Sequence, residues 1–226
     1  MPYRMREGVS HCQVDGSLIF LDLEEDRYFR LSSRLEDMFL SFLSSNGQPV
    51  VDVSELVRQN ILVKALDAAP TPSATLNAAP SLSAIEHQSD APVFDAVTLL
   101  EVFATVCSTQ FQLRTRRLNR TIASAVAYRQ RMTSHILFPP NRPQAERLIE
   151  SAGAFRHARR CVPIDTSCLL DSISMVKFLA RRRLPADIVF GVALNPFAAH
   201  CWVQAGEWLL NDTVGNVAAH TQIRKV

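Results

Sequence analysis

Closely spaced cysteine pairs are missing from this 226-residue sequence, which has five scattered cysteines and no CxxC or CxxxC spacing. An odd, scattered set is not the pattern of a disulfide scaffold, and a structural zinc site needs closer spacing. We therefore expect a reducing, cytoplasmic location and no metal. The five thiols are Cys12, Cys107, Cys161, Cys168 and Cys201.

Long apolar runs and a glycine-rich phosphate loop are missing as well. No stretch approaches the roughly 18 uninterrupted apolar residues of a membrane-spanning helix. The first residues, MPYRMREGVSHCQVDG, are charged and lack the apolar run of a signal peptide. With 47% hydrophobic and 20% charged residues, the composition is that of an ordinary globular protein. We expect no membrane span and no cofactor.

Acidic residues are scarce between residues 114 and 160, where eleven arginines stand beside only two acids, Glu146 and Glu150. A basic surface of this kind can attract an acidic peptide, a nucleotide or nucleic acid. Aromatic residues are not interleaved with the arginines as they are in single-strand-binding proteins. We therefore favour a solvated helical surface and expect no nucleic-acid partner.

Residues 66–92 form a segment rich in alanine, proline and serine, with few charges and no periodicity. Such a segment cannot bury enough apolar surface to offset its ordering entropy, so we interpret it as a linker. It divides the chain into a small domain at residues 1–65 and a larger one at residues 93–226.

The small domain begins with strand signals. An apolar run at Leu18–Leu23, a three-residue charged turn and an alternating run at Tyr28–Leu31 predict a hairpin, and His11–Val14 predicts a short third strand.

Two amphipathic helices follow in the small domain. The first opens on a capping-box pattern, with Ser32 or Ser33 as N-cap and Glu36 as its partner. The second is predicted over DVSELVRQNILVKAL, beginning at Asp52 or Ser54. A domain this small, with no catalytic constellation, is more typical of a binding module than of an enzyme.

The large domain shows helix periodicity first and strand periodicity afterwards, an order that predicts an α+β fold. Helices are expected over residues 93–114, 120–132 and 143–158, and strands over DIVFGVAL and HCWVQAGEWLLND. Cys107, near the end of the first helix, is expected in the core. The broad apolar face expected on that helix comprises Val97, Leu100, Val102, Phe103 and Val106.

The stretch PIDTSCLLDSISMVKFLARRRLP places Cys168 at the start of an amphipathic helix. Asp165, Thr166 or Ser167 can each cap this helix, which is expected to end at Arg181–Arg183. Free N–H groups and the positive end of the helix dipole stabilise an anion, so the pKa of a thiol there is lowered. A cysteine at a helix start is usually a small structural residue, and a nucleophile also needs a base and an orienting group.

The stretch AAHCWVQAGEWLLND supplies both groups if it forms a hairpin. With a three-residue loop centred on Gly206, Gln204 faces Trp208, and the same register places His200 opposite Asp212. Directly opposite residues have Cβ atoms roughly 5 Å apart, so the carboxylate can accept from Nδ1–H and leave Nε2 for the thiol. A lone histidine in a strand is more often structural, but this combination favours a catalytic triad.

The other thiols are weaker candidates for the nucleophile. Cys201 is expected on the face of its strand opposite His200, Cys161 precedes the helix, and Cys12 belongs to the small domain. No Cys/His spacing indicates a metal site.

A cysteine that opens a helix, followed by His and Asp on successive strands, resembles the transglutaminase-like and papain-like cysteine peptidases. SCLLDSISMVKFLARRRLPADIVFGVA followed by AHCWVQAGEWLLND resembles in particular the B proteins of lasso peptide biosynthesis, over roughly residues 95–215. The resemblance implies a small winged-helix-like, PqqD-like N-terminal domain and a papain/transglutaminase-like peptidase domain.

The resemblance also implies an activity, the removal of a leader from a ribosomal precursor peptide. Cys168 would attack the scissile carbonyl, His200 would deprotonate the thiol and protonate the leaving amine, and Asp212 would orient His200. The Cys168 N–H would form half of an oxyanion hole. An asparagine-synthetase-like lasso cyclase would then use the freed amine, so the expected partners are this cyclase and the precursor peptide.

The resemblance further implies that the leader adds as a strand beside the third strand of the small domain, with the helix around residues 52–61 flanking it. The residues expected to bind it are Arg27, Tyr28, Phe29, Arg30 and Leu31. Tyr28, Phe29 and Leu31 could instead be plain hairpin core. Three other functions stay open: an acyltransferase with the same triad, a non-catalytic peptide chaperone and, as the weakest, a nucleic-acid binder.

Overall fold

The structure, a computed structural model, describes residues 2–45, 52–65, 79–87, 95–134 and 142–226. The chain is a mixed α/β protein that divides into two compact units, Met1–Leu76 and Asn77–Val226. Each unit has its own sheet and its own cluster of buried apolar side chains.

The first unit is built on a three-stranded antiparallel sheet with the strand order β2-β3-β4, and on a second antiparallel pair, β1 with β5. Its elements are β1 (Tyr3–Met5), β2 (Val9–Val14), β3 (Ser17–Asp22), β4 (Arg27–Phe29), α1 (Ser33–Ser44), α2 (Ser54–Arg58) and β5 (Leu62–Lys64).

The predicted hairpin and its third strand are confirmed in the three-stranded sheet. Asp15 and Gly16 connect β2 to β3 with φ angles of 47° and 78°, the left-handed region that a two-residue type I′ turn requires. Asp22 pairs with Arg27 across the next turn, so the loop between β3 and β4 has four residues where three were predicted.

The capping box predicted for α1 is wrong in its hydrogen bonds. Ser32 is the N-cap by position, with an extended backbone, but its side chain makes no capping hydrogen bond. Glu36 instead accepts from the Leu18 N–H at 3.0 Å. This carboxylate therefore joins the helix to the sheet rather than closing the first turn of the helix.

The second helix of this unit is shorter than predicted. α2 ends at Arg58, and Asn60 follows with a φ of 57°, in the left-handed region that ends a helix. The chain then turns into β5, whose Leu62 pairs with Met5. Ile61 and Leu62 are buried as expected, but Ile61 lies in the turn after α2 and Leu62 in β5, so neither is in a helix.

The second unit places its helices before most of its strands, in the order that the sequence predicts. The sheet has five strands in the order β10-β7-β8-β9-β6, all antiparallel except the β6–β9 pair. Its elements are β6 (Leu82–Ser83), α3 (Ala96–Thr115), α4 (Leu118–Thr133), α5 (Arg142–Arg159), α6 (Cys168–Arg181), β7 (Asp187–Ala193), β8 (Ala198–Ala205), β9 (Trp208–Leu209), α7 (Val214–Ala218) and β10 (Thr221–Lys225).

Part of the predicted linker is an edge strand of this sheet. The backbone N–H groups of Leu82 and Ala84 donate to the carbonyls of Glu207 and Leu209, and the Ser83 and Ala84 side chains are fully buried. Composition predicted a linker because the segment has few apolar side chains to bury. Residues 82–84 are ordered instead by backbone hydrogen bonds to β9, which do not depend on side-chain type. The other residues of the predicted linker, 66–78 and 88–92, lie outside the described residues.

The predicted apolar face of α3 is only partly buried. Val102 and Val106 pack inward, toward α5 and α6, whereas Val97 and Leu100 are 70% and 67% exposed. Phe103 is also exposed, and Cys107 is half-buried. α3 is apolar on all sides, and with a mean hydropathy of 1.2 it is long and apolar enough to cross a membrane by length and composition alone. Its periodicity therefore could not show which side packs.

Candidate active site

Cys168 is the first residue of α6, and Ser167 is the cap of this helix. The Ser167 side chain accepts from the Leu170 N–H at 3.3 Å, and its carbonyl accepts from the Asp171 N–H. Of the three caps that the sequence allowed, the structure uses this one. No described residue accepts from the Cys168 N–H, which is one of the free donors of a helix start.

The loop before Cys168 is held by Arg159, which is 5% exposed. Its guanidinium donates to the carbonyls of Ile164 and Asp165 at 2.9 and 3.2 Å, and its Nε donates to the Asp171 carboxylate at 2.7 Å. The loop and the first turn of α6 are thus tied to one buried cation. Burial raises the pKa of Asp171, and the ion pair with Arg159 opposes that rise.

The hairpin that carries the predicted base has a different register from the predicted one. Ala205 pairs with Trp208 and Gln204 with Leu209, so the turn has two residues where three were predicted. Gly206, at the first turn position, has a φ of 61°, as a tight turn with glycine there requires. The predicted register, in which His200 pairs with Asp212 across the hairpin, is therefore wrong by one residue.

Asp212 nevertheless reaches His200, because the chain leaves the sheet after β9. Asn211 directs this departure: its Oδ1 accepts from the Val203 N–H at 2.7 Å, and its Nδ2 donates to Ser172 Oγ at 3.0 Å. Ser83 Oγ, in the edge strand β6, donates to the Asp212 carbonyl at 2.7 Å. The segment that carries Asp212 is thus fixed from β8, from α6 and from β6.

The Asp212 carboxylate hydrogen bonds with Nε2 of His200. Nδ1 was expected at this place from the sequence, and that expectation is wrong, because Asp212 approaches from beyond the strand end and not from directly opposite. Asn216 Nδ2 donates to both carboxylate oxygens, at 2.9 and 3.0 Å, and the Thr213 N–H donates to Oδ1 at 2.7 Å. Nδ1 of His200 is left as the nitrogen that can meet Cys168.

Two aromatic rings surround the His200 imidazole. The centroid of the fully buried Trp202 ring lies 6.1 Å from the centroid of the imidazole, and the centroid of the His220 ring lies 5.3 Å from it. Gly191 pairs with His200 on the neighbouring strand, and a Cβ there would lie 2.6 Å from Trp202. A glycine is needed at this position because the indole occupies the space of a side chain.

The Cys168 thiol is exposed and strongly acidic. Hydrogen bonds from the Cys201 side chain, from His200 and from the Cys201 backbone lower its pKa to about 4. The hydrogen bond to Asp212, followed by that to Cys168, raises the pKa of His200 to about 9. At neutral pH the pair is therefore a thiolate and an imidazolium, the state of an activated cysteine nucleophile.

The charge of Asp212 stabilises this ion pair. Burial by itself raises the pKa of Asp212, but hydrogen bonds from His200, Asn216 and the Thr213 N–H together lower it below its ordinary value. At neutral pH the carboxylate is thus ionised while His200 is an imidazolium, and it holds the imidazolium in one orientation.

The structure brings Cys168, His200 and Asp212 together, and it adds residues that the sequence analysis missed. Cys201 was set aside because strand alternation turns it away from His200, yet its thiol packs on α6 beside Ser172 and is the first cause that lowers the pKa of Cys168. Asn216 was missed although it lies four residues after Asp212, one turn along α7. Cys12, by contrast, is in the other unit, where burial raises the pKa of its thiol to about 11.

The residues expected to bind a leader lie on and after β4, in the first unit. Arg27 lies over the Phe29 ring, which stacks on Phe20 with 5.3 Å between ring centroids, and Arg30 donates to Ser17 Oγ. Leu31 is buried in the core of the unit, in agreement with the alternative that it is a hairpin core residue. Its side chain is therefore not accessible to a ligand. β4 ends at Phe29 and is the edge strand of its sheet in the part of the chain that the structure describes.

Metal ligands do not cluster in this site. Among the described residues, no group of three or more His, Cys, Asp or Glu side chains could hold a metal ion.

Comparison with known proteins yields one match. The family model of the transglutaminase-like superfamily matches residues 105–225, a span that contains Cys168, His200 and Asp212. No curated protein and no solved structure matches the chain.

Proposed function

The chain belongs to the transglutaminase-like superfamily, and on that premise we propose that it is the leader peptidase of a lasso peptide pathway. It binds the leader of a ribosomal precursor peptide and hydrolyses the amide bond between leader and core. The observation that carries this proposal is an exposed cysteine, Cys168, at a helix start, whose pKa is lowered in part by a histidine that Asp212 orients.

The acylation step follows from the charges of the site. The Cys168 thiolate attacks the scissile carbonyl, and the oxyanion that forms accepts from the free Cys168 N–H at the start of α6. The proton is already on His200 before substrate binds, because the pKa of the imidazole, about 9, exceeds that of the thiol, about 4. His200 therefore acts first as the acid that protonates the leaving amine, which is the N-terminus of the core.

Deacylation completes the cycle. His200, now neutral, takes a proton from water as the water attacks the thioester, and the leader carboxylate leaves as the Cys168 thiolate re-forms. Asp212 holds the imidazole in one orientation through both steps. An amine in place of water would give acyl transfer from the same thioester, so the product distinguishes a peptidase from an acyltransferase.

Leader recognition is proposed for the first unit. The edge of β4 offers backbone N–H and C=O groups to an added strand, with Arg27 and Arg30 on the same segment. A groove begins three residues after β4 and runs between the start of α1 and α2. Its lining side chains are Ser32, Arg34, Leu35, Met38, Asp52, Ser54 and Glu55. Apolar leader side chains would pack on Leu35 and Met38, and basic ones would meet Asp52 and Glu55.

The proposed reaction supplies a substrate to a second enzyme. The core's free amine must be joined to a side-chain carboxylate, which requires activation of that carboxylate by an asparagine-synthetase-like cyclase in the same cytoplasm. The neighbouring genes are therefore expected to encode this cyclase and a short precursor peptide.

The proposal is tested with the precursor peptide encoded beside the gene of this chain. The wild type, Cys168→Ala and a matched control, Cys161→Ala, are incubated with it, products are read by mass spectrometry, and leader binding is measured by fluorescence anisotropy. We expect two fragments with one added water from the wild type and the control. Cys168→Ala should bind the leader but leave the precursor intact. Cleavage by Cys168→Ala, or a cross-linked product in place of fragments, would overturn the proposal.

A further inference from the structure

A second thiol lies on the face of α6 that carries the proposed nucleophile. Cys201 is on β8, is 3% exposed and packs against α6, where its Sγ lies 3.9 Å from Ser172 Oγ. Ser172 also donates to the Cys201 carbonyl at 3.4 Å. Because Ser172 follows Cys168 by four residues, the two share one face of α6, and that face is the one that meets Cys201.

Cys201 also acts on the acidity of Cys168. Hydrogen bonding from the Cys201 side chain, and more weakly from its backbone N–H, is among the causes that lower the pKa of the Cys168 thiol. Cys168 is open to solvent while Cys201 is covered, so a small oxidant meets Cys168 first. The steps of peptide hydrolysis need no second thiol at this place.

We propose that Cys201 is a resolving thiol, which forms a disulfide with Cys168 after hydrogen peroxide has oxidised that nucleophile. The site is thus a reversible modification site for peroxides. The inference rests on the proposed function only in taking Cys168 as the reactive thiol of the molecule.

The first step oxidises Cys168 and reduces the peroxide. The Cys168 thiolate attacks one peroxide oxygen, the O–O bond breaks, an S–O bond forms, and the hydroxide that leaves takes up a proton to become water. Cys168 is then a sulfenic acid, two electrons more oxidised than the thiol.

The second step forms the disulfide. Cys201 loses its proton and attacks the Cys168 sulfur, the S–O bond breaks, and the departing hydroxide combines with that proton to give a second water. Contact with the Cys168 anion is the first cause that raises the pKa of Cys201. Oxidation removes this anion, so the Cys201 proton becomes easier to lose at the moment when its thiolate is needed.

The disulfide would protect the nucleophile from further damage. A sulfenic acid without a nearby thiol proceeds to sulfinic acid, which cells do not generally reverse, whereas a disulfide is reopened by an exogenous thiol. Peptidase activity would therefore stop in the presence of peroxide and return when a reductant is added.

The test uses the full chain with hydrogen peroxide as the probe, and intact mass with non-reducing peptide mapping as the readout. The wild type should lose about 2 Da, the mass of two hydrogen atoms, and yield a linked peptide pair that contains Cys168 and Cys201. Dithiothreitol should restore the mass and the cleavage of the precursor. Cys201→Ser should instead gain about 32 Da at Cys168 and stay modified after reduction.

Two further variants keep the result interpretable. Cys161→Ser, which removes an exposed thiol outside the contact, should form the same linked pair as the wild type, and Cys201→Ala replaces Cys201→Ser if circular dichroism shows the latter unfolded. A wild type that gains oxygen without the linked pair, or that links Cys168 to Cys161, would overturn the inference. Since the mass readout needs no substrate, a linked pair in a chain that cleaves nothing would overturn the proposed function alone.

Discussion

The carboxylate of Asp212 meets Nε2 of His200 from beyond the end of β9, and not from the opposite strand position. Three residues hold this segment by hydrogen bonds. Asn211 bonds to β8 and to α6, Ser83 donates to the Asp212 carbonyl, and Asn216 donates to the Asp212 carboxylate. The orientation of the histidine thus depends on a short irregular segment that is hydrogen bonded to β6, β8, α6 and α7. Each of these contacts gives a separate test.

Asp212 sets the charge of His200, so we expect Asp212→Ala to lower the histidine pKa from about 9 toward the ordinary value of about 6.5. The kcat/KM for precursor cleavage should fall about 10²-fold or more at pH 8. Asp212→Asn keeps a hydrogen-bond acceptor without the charge, so its histidine pKa and its kcat/KM should lie between those of the wild type and of Asp212→Ala. The measurement is cleavage followed by mass spectrometry, with the His200 pKa from the NMR chemical shift of its ring protons. An unchanged histidine pKa in Asp212→Ala would contradict the role of this carboxylate.

Activity should depend on pH through two groups. As pH falls through about 4 the thiolate takes up a proton and is lost, and as pH rises through about 9 the imidazolium loses the proton that it gives to the leaving amine. The kcat/KM profile should therefore be a bell with limbs near these two values, because kcat/KM reports the groups of the free enzyme. Initial rates at constant ionic strength check this. A profile whose acid limb lies near pH 8 would show that the thiol has an ordinary pKa.

Gly191 tests the packing beneath His200. A Cβ at this position would lie 2.6 Å from the Trp202 ring and 3.0 Å from the Cβ of His220, so Gly191→Ala should displace the Trp202 ring. We expect a loss of stability of about 1–3 kcal/mol and, from misplacement of His200, a loss of kcat/KM of up to about 10²-fold. Urea unfolding and precursor cleavage measure the two effects.

Gly215→Ala is the matched control for this change. No heavy atom lies within 4 Å of a Cβ built at Gly215, and alanine favours a helix over glycine by about 1 kcal/mol. The control should keep its activity with equal or greater stability. Equal behaviour of the two glycine variants would contradict the packing argument.

Alanine variants of Asn211 and Asn216 distinguish the residue that stabilises the fold from the residue that orients Asp212. Asn211→Ala leaves the Val203 N–H of β8 without its acceptor and should cost about 1–3 kcal/mol of unfolding free energy. Asn216 is exposed, so Asn216→Ala should change stability by no more than about 0.5 kcal/mol while it lowers kcat/KM. Denaturation curves and cleavage rates for the pair check both statements. Similar stability losses in both variants would refute the division of roles.

Local sequence signals predicted the nucleophile helix well. A cap, a helical apolar period and a terminal cluster of arginines act within a few residues, and α6 runs from Cys168 to Arg181 as they indicate. The triad partners were also named from sequence, but through a hairpin register that was wrong by one residue. The loop after β9 restored the contact, and nothing in the alternation of β8 and β9 indicates such a loop.

The contacts that sequence did not predict are those between distant segments. β6 pairs with β9 through backbone groups that any residues possess, so its composition concealed it. β5 follows a left-handed Asn60 that interrupts a helical pattern. Cys201 lies on the face of α6 that carries Cys168 because β8 packs against this helix, and strand alternation carries no information about that packing.

The acidity of Cys168 in the presence of His200 is the central claim, and alkylation by iodoacetamide measures it most directly. The rate at Cys168 is followed against pH by peptide mapping, with the exposed Cys161 of the same sample as an internal control and His200→Ala as the comparison variant. We predict a midpoint near pH 4 for Cys168 in the wild type, shifted upward in His200→Ala because His200 is one of the causes of the lowered pKa. A wild-type midpoint of about 8.5, as for a free cysteine, and unchanged in His200→Ala, would contradict it.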